Sequence, residues 1–175
     1  MTGVQTCALP IYVVDLLPSL MTAKLKSEHP LYLATDTHWS QEGMEASARA
    51  IVDVVGKTGI YRSETPVEYL LQAQEQMRGK GDLDSMLEQN GAFGILSELR
   101  ARDRLTLPGQ IVPNKLFYGS GVSWSEHASA PVLFLGDSFS RVFSDPASGW
   151  GKGMGLPEQI RSEEHTSELQ SHLNL

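Results

Sequence analysis

Two short motifs hold the residues suited to nucleophilic chemistry. The first is Gly136-Asp137-Ser138-Phe139-Ser140, directly after Pro131–Leu135 (PVLFL), the most strand-like run in the chain. In α/β folds, sites form beyond the carboxyl ends of strands. A serine at a strand-to-helix turn projects its hydroxyl outward while nearby backbone N–H groups stay free to hold an oxyanion. Gly136 lets the chain turn tightly there. Gly, Asp and Ser are also common turn formers, so the motif alone describes a turn equally well.

The second motif is Asp36-Thr37-His38-Trp39, after the apolar run Leu31–Ala34 and before a helical pattern. An acid and an imidazole two residues apart can meet. The Asp36 carboxylate then fixes one ring nitrogen of His38, and the other is free to take a serine proton. The competing reading is a structural cap at a helix start. What sets the two motifs apart is that both are expected at carboxyl ends of strands in one α/β domain.

The elements that would position them follow from periodicity. Tyr12–Leu17 and Leu31–Ala34 read as buried strands, with a helical segment from Ser19 to His29 between them, a β-α-β start that implies parallel packing. From Ser40, a fitting N-cap, apolar Met44, Ala48, Ile51, Val52 and Val55 recur at helical spacing until Gly56 or Gly59. Pro66–Arg78 reads as a second helix, Gly79–Gly81 as a break and Asp82–Gln89 as a short third helix. Residues 91–110 fit no single pattern. Ile111–Tyr118 is expected to be extended, and Pro131–Leu135 to be a central strand.

Both termini are expected to be foreign. Residues Arg161–Ser171 back-translate to DNA whose opposite strand encodes Thr2–Ile11, so one stretch read in both directions accounts for both ends, and it matches a sequencing-library adapter. The expected organisation is therefore 1–11 adapter-derived, 12–160 part or most of one domain, and 161–175 adapter-derived. The formal charge is −7 for the whole chain, −2 of it in residues 161–175. Arg100, Arg102 and Arg104, interrupted by Asp103, read as a solvated helix face, so no nucleic-acid partner is expected. The single cysteine, Cys7, lies in the foreign N-terminus and leaves the domain without thiolate or disulfide chemistry.

Other constellations are weaker. Gly149, Gly151, Gly153 and Gly155 lack the placement of a dinucleotide or P-loop fingerprint and read as a mobile rim over the serine. Trp39 and Trp150 are candidate sugar platforms, with core packing the alternative. His127 would need a second close-spaced ligand pair to make a metal set with Asp36 and His38, so no metal is expected. His29 reads as a surface loop residue. No coenzyme A or nucleotide site is visible, and no cofactor is expected.

Taken together, Asp36-Thr37-His38-Trp39-Ser40 with Gly43, and Gly136-Asp137-Ser138-Phe139-Ser140 far downstream, resemble the SGNH-like domain of the alginate O-acetyltransferases of the AlgJ/AlgX type. The likeness extends to Val14-Asp15-Leu16, Gly81-Asp82-Leu83, Gly149-Trp150-Gly151 and Gly155-Leu156-Pro157-Glu158-Gln159. The Asp-x-His block precedes the serine block, the order of that family and the reverse of ordinary SGNH hydrolases. The resemblance implies a three-layer α/β sandwich of the SGNH-hydrolase type with a mostly parallel sheet, here truncated. It further implies a Ser138, His38, Asp36 triad, an acetyl-serine intermediate, and O-acetylation of an exopolysaccharide in the periplasm with a membrane-bound acyltransferase as acetyl donor. The alternatives are an SGNH-type carbohydrate acetyl esterase, with water as acceptor, and a catalytically silent carbohydrate-binding module.

Overall fold

The structure is a computed structural model that describes residues 11–59, 69–72, 81–89, 110–113, 133–145, 147 and 150–163. The first helix, α1 (Leu17–Lys26), carries Pro18 in its first turn, where a missing N–H costs nothing. Leu17 therefore belongs to a helix and not to the expected strand Tyr12–Leu17. Residues 11–16 have no regular structure, and Val13 is 87% exposed. A strand is held by a neighbour's ladder, and no described segment pairs with this one.

The expected strand at Leu31–Ala34 is reduced to a single antiparallel bridge, Tyr32 to Trp39. Two backbone bonds close it, Leu33 N–H to the His38 carbonyl at 3.0 Å and Ser40 N–H to the Leu31 carbonyl at 2.8 Å. The chain thus doubles back on itself, and residues 34–37 form the tip of a tight loop. Ser40 then caps α2 (Gln41–Thr58), its side chain accepting from Gly43 N–H at 3.3 Å, and Gly59 ends the helix at φ 66° in the left-handed region. Both caps and the apolar face agree with the sequence reading, although Val55 stands 37% exposed.

Within the expected helix Pro66–Arg78, residues Tyr69–Gln72 form strand β1, paired antiparallel with β2 (Gln110–Pro113) from Tyr69 opposite Pro113 to Gln72 opposite Gln110. A short apolar run does not distinguish helix from strand by periodicity, and here a partner strand decides. Helix α3 (Asp82–Gln89) lies where expected. Residues 114–118 of the expected extended segment lie outside the described residues. Leu133–Leu135, expected in a central strand, has no ladder among the described residues; Leu133 and Leu135 are 81% and 83% exposed. Helix α4 (Ser138–Arg141) follows, and residues 156–163 are helical, running past the expected boundary at Ile160.

The core joins these pieces. Leu33 and Trp39 from the loop, Met44 and Ala48 from α2, Val142 and Phe143 after α4, and Trp150, Met154 and Leu156 form one buried cluster, with Phe139 and Ile160 packed against it. Phe143 and Met44 are fully enclosed, and burying side chains of this size stabilises by about 1.5–3 kcal/mol each. The cluster contains residues flanking both chemical motifs, so one apolar contact surface holds Asp36-x-His38 and the Ser138 turn in a fixed relation.

Gly81 shows how closely the segments approach. A Cβ there would overlap the carbonyl of Thr35 and crowd Asp36 N. Gly81→Ala should therefore push α3 off the Asp36 loop and destabilise by about 1–3 kcal/mol, the usual range for overpacking. The lowered urea midpoint should have an unchanged slope; a midpoint equal to wild type would contradict this close approach.

Candidate active site

Asp36 sits at the tip of the closed loop and is 7% exposed. Its Oδ1 accepts the His38 backbone N–H at 3.0 Å and is bonded to His38 Nδ1. Its Oδ2 accepts Asp82 N–H at 3.1 Å and the Trp150 indole N–H at 3.0 Å. Burial opposes ionisation of this carboxyl, but the bonds from Trp150, from the His38 ring and backbone, and from Asp82 outweigh it and hold its pKa below the ordinary 3.8. An ionised Asp36 accepts from Nδ1–H, which in a neutral imidazole leaves the lone pair on Nε2.

That nitrogen is buried and has no hydrogen-bond partner. A buried polar atom left unpaired costs about 1–3 kcal/mol, so Nε2 is poised to receive a donor. The Phe139 ring lies against the imidazole, centroids 4.8 Å apart and tilted by 49°, and meets Trp39 edge-on at 5.4 Å. The residue following Ser138 thus touches the His38 ring. Because Nε2 is unpartnered, it forms no hydrogen bond with Ser138 Oγ in this structure.

Ser138 is exposed at the first position of α4. Asp137 is the N-cap, its Oδ1 accepting Phe139 N–H at 3.0 Å, and Ser140 N–H bonds the Asp137 carbonyl at 3.1 Å. The expectation of free N–H groups beside the serine is corrected at Phe139, whose donor is engaged by the cap. At Gly136 a Cβ would collide with the side chain of buried Ser140, so the turn into Ser138 requires glycine. An open groove lined by Phe134, Leu135, Gly136, Asp137, Ser140 and Leu156 passes this turn.

The sugar-platform roles expected for Trp39 and Trp150 do not hold in this structure. The two residues are 6% and 1% exposed, so neither offers a ring face to a ligand, and Trp150 instead bonds Asp36. The expected mobile rim is also corrected. Gly151, Met154 and Gly155 are buried, and the segment is pinned by Gly153 N–H to the Ser144 carbonyl and Met154 N–H to the Phe143 carbonyl, both 3.1 Å. Gly149 and His127 lie outside the described residues.

Sequence reasoning missed Asp82. Its Oδ1 accepts Thr37 N–H at 2.8 Å and its Oδ2 the Thr37 hydroxyl, while its own N–H holds Asp36. The only signal was its place in Gly81-Asp82-Leu83, a match with no role attached. Asp36, His38 and Asp82 bring possible cation ligands within 4.8 Å of one another. Both carboxylates already accept N–H or O–H donors, and His38 Nδ1 is bonded to Asp36.

Residues 5–146 match the family described as SGNH hydrolase-like domain, acetyltransferase AlgX. A probable alginate O-acetylase AlgJ of Pseudomonas syringae pv. tomato is 30% identical over 164 residues, 91% of this chain and 38% of the relative. One of Pseudomonas putida is 30% identical over 95 residues, 54% of this chain and 23% of that protein. The chain thus spans well under half the length of these relatives. The solved O-acetyltransferase domain of Pseudomonas putida AlgJ superimposes with a TM-score of 0.55 at 19% identity, covering 89% of this chain and 45% of that one, which supports the same fold.

The lowered pKa of Asp36 has a signed consequence. Its stabilising contribution is fully present above 3.8 and is lost as pH falls through the lower folded value. Thermal melts should show wild type more stable than Asp36→Asn near neutrality, with the gap closing under acid. A gap independent of pH would show that the ionised carboxylate is not what stabilises the loop.

Proposed function

The chain belongs to the SGNH hydrolase-like, AlgX-type acetyltransferase family, and from that premise we propose that it transfers acetyl groups to hydroxyls of an exopolysaccharide through Ser138, His38 and Asp36. The observation that carries this reading is the buried Asp36–His38 pair with an unpartnered Nε2, packed on the residue next to an exposed serine. That is the proton path a serine acyl transfer needs.

In the first half-reaction Ser138 Oγ attacks the acetyl carbonyl of the donor as Nε2 takes the hydroxyl proton. The bond between Nε2 and Oγ closes as the donor seats, since such contacts tighten on binding. The tetrahedral centre collapses, the donor's leaving oxygen takes the proton from Nε2, and acetyl-Ser138 remains. A sugar hydroxyl then gives its proton to Nε2, attacks the acetyl carbon and frees Ser138, which recovers the proton. Asp36 accepts from Nδ1–H throughout and stabilises the imidazolium of each half-reaction.

The open groove past Asp137 leaves room for a polymer to run beside Ser138. The probable O-acetylase names of the relatives favour an alginate-like acceptor. The reading includes a membrane-bound acyltransferase that supplies the acetyl group, a periplasmic setting, and a three-layer sandwich completed around the described core. No helix among the described residues is long and apolar enough to cross a membrane. A silent carbohydrate-binding role is disfavoured by the burial of both tryptophans that would have made its platform.

The test uses the full-length protein and an activated acetyl ester. Ser138→Ala should abolish turnover, and Asp36→Asn should lower kcat by about a thousandfold or more, as when a triad acid is lost. Ser140→Ala should matter little. Added alginate oligomer should divert acetyl from water to sugar, giving O-acetylated product by mass spectrometry. Acetate alone at every acceptor concentration would mark an esterase, and full activity of Ser138→Ala would end the serine mechanism.

A further inference from the structure

We infer that Trp150 is a positioning residue for the acyl transfer, coupling the Asp36–His38 pair to the helix that carries Ser138. The inference rests on the serine-triad reading and adds a residue to it. Trp150 is 1% exposed, and its indole N–H donates to Asp36 Oδ2 at 3.0 Å. The same segment is bound to the chain just after α4, the helix that begins with Ser138. Gly153 and Met154 N–H groups bond the carbonyls of Ser144 and Phe143, and the Ser144 hydroxyl bonds Glu158 Oε2 at 2.7 Å. One short stretch of chain therefore grips both halves of the site.

Geometry gives Trp150 a particular task. Asp36 Oδ1 serves His38, so the rotation of the carboxylate about its own axis is set by what holds Oδ2. Asp82 N–H and Trp150 Nε1–H are those two donors. Without the indole, Oδ2 has one anchor, and the carboxylate can swing away from Nδ1. Trp39 provides the contrast. It is also a buried indole, packed on Phe139, yet its Nε1 has no partner. Two tryptophans of similar burial thus differ in the one bond at issue.

Among the described residues, the titratable residues bonded to Asp36 or its loop include His38 on that loop and Asp82 and Asp84 at the start of α3. Asp84 N–H bonds the Thr35 carbonyl at 3.2 Å, and Asp82 is occupied with Thr37. Glu158, on the segment of Trp150, is engaged by Ser144. Removal of the indole donor should therefore be felt chiefly at Asp36 and through it at His38.

The experiment compares wild-type full-length protein with Trp150→Phe, Trp39→Phe, Ser138→Ala, Asp36→Asn and the Trp150→Phe/Asp36→Asn double variant, using the activated acetyl ester. Trp150→Phe should lower kcat about tenfold to a hundredfold, the worth of one bond to a charged group. Its KM should change little. The pH at which Asp36 takes up its proton, followed by its carboxyl carbon resonance, should move upward, because a carboxylate that has lost a donor holds its proton more tightly. Trp39→Phe should leave that pH unchanged. In the Asp36→Asn background the same change should cost less than it does alone, since the bond acts through Asp36. In wild type, the Trp150 indole N–H resonance should lie downfield of that of Trp39 and move upfield as Asp36 is protonated, a measurement independent of whether the variant folds. A wild-type kcat and an unmoved Asp36 titration in folded Trp150→Phe, equal losses in both backgrounds, or an indole resonance blind to Asp36 would overturn the inference. If Ser138→Ala retains activity, the triad reading itself fails, a result distinct from any of these.

Discussion

A single carboxylate accepting four N–H groups is the constraint on which the site depends. Asp36 draws two donors from His38, one from Asp82 and one from Trp150, and these lie on three separate stretches of chain. An ionised carboxylate is costly to bury unless donors replace the water it loses. The loop, the start of α3 and the segment around Trp150 must therefore assemble together for the charge to be tolerated. Each bond strengthens the others in a low-dielectric surrounding. The folding of this region and the readiness of His38 are one equilibrium.

Apolar packing supplies the rigidity that hydrogen bonds alone lack. Leu33 and Trp39 bracket the Asp36 loop, Phe139, Val142 and Phe143 follow Ser138, and all belong to or pack on one cluster with Met44 and Trp150. The Ser138 turn and the Asp36–His38 loop consequently share walls. Phe139 is the most direct link, touching the His38 ring while its N–H is held by Asp137. Ser138 itself remains exposed.

Backbone approaches explain why certain glycines recur in the motifs. At Gly81 the helix start lies against the Thr35 carbonyl, and at Gly136 the turn lies against Ser140. In each case a side chain would separate the very segments whose contact makes the site. The Asp36 loop needs no glycine of its own, because the bridge between Tyr32 and Trp39 closes it and Asp82 braces Thr37.

Helices α2 and α3 were legible in the sequence because their signals are local: the Ser40 cap, the spacing of apolar residues and Gly59 just past the end. The pairing of Asp36 with His38 was legible for the same reason, as two residues on one tight loop. The order and content of the two motifs likewise carried the family. Strands were read less well. Tyr69–Gln72 pairs with residues some forty positions away, and the runs at Tyr12–Leu17 and Leu133–Leu135 find no ladder among the described residues. A strand exists only with its partner, and the identity of the partner is not written in a short window. The tertiary structure alone decided that Trp150 turns its indole N–H inward to Asp36, that Asp82 clamps Thr37, and that the glycine-rich segment is pinned and buried. Those outcomes depend on which distant groups burial leaves in need of a bond, and only the packed chain determines that.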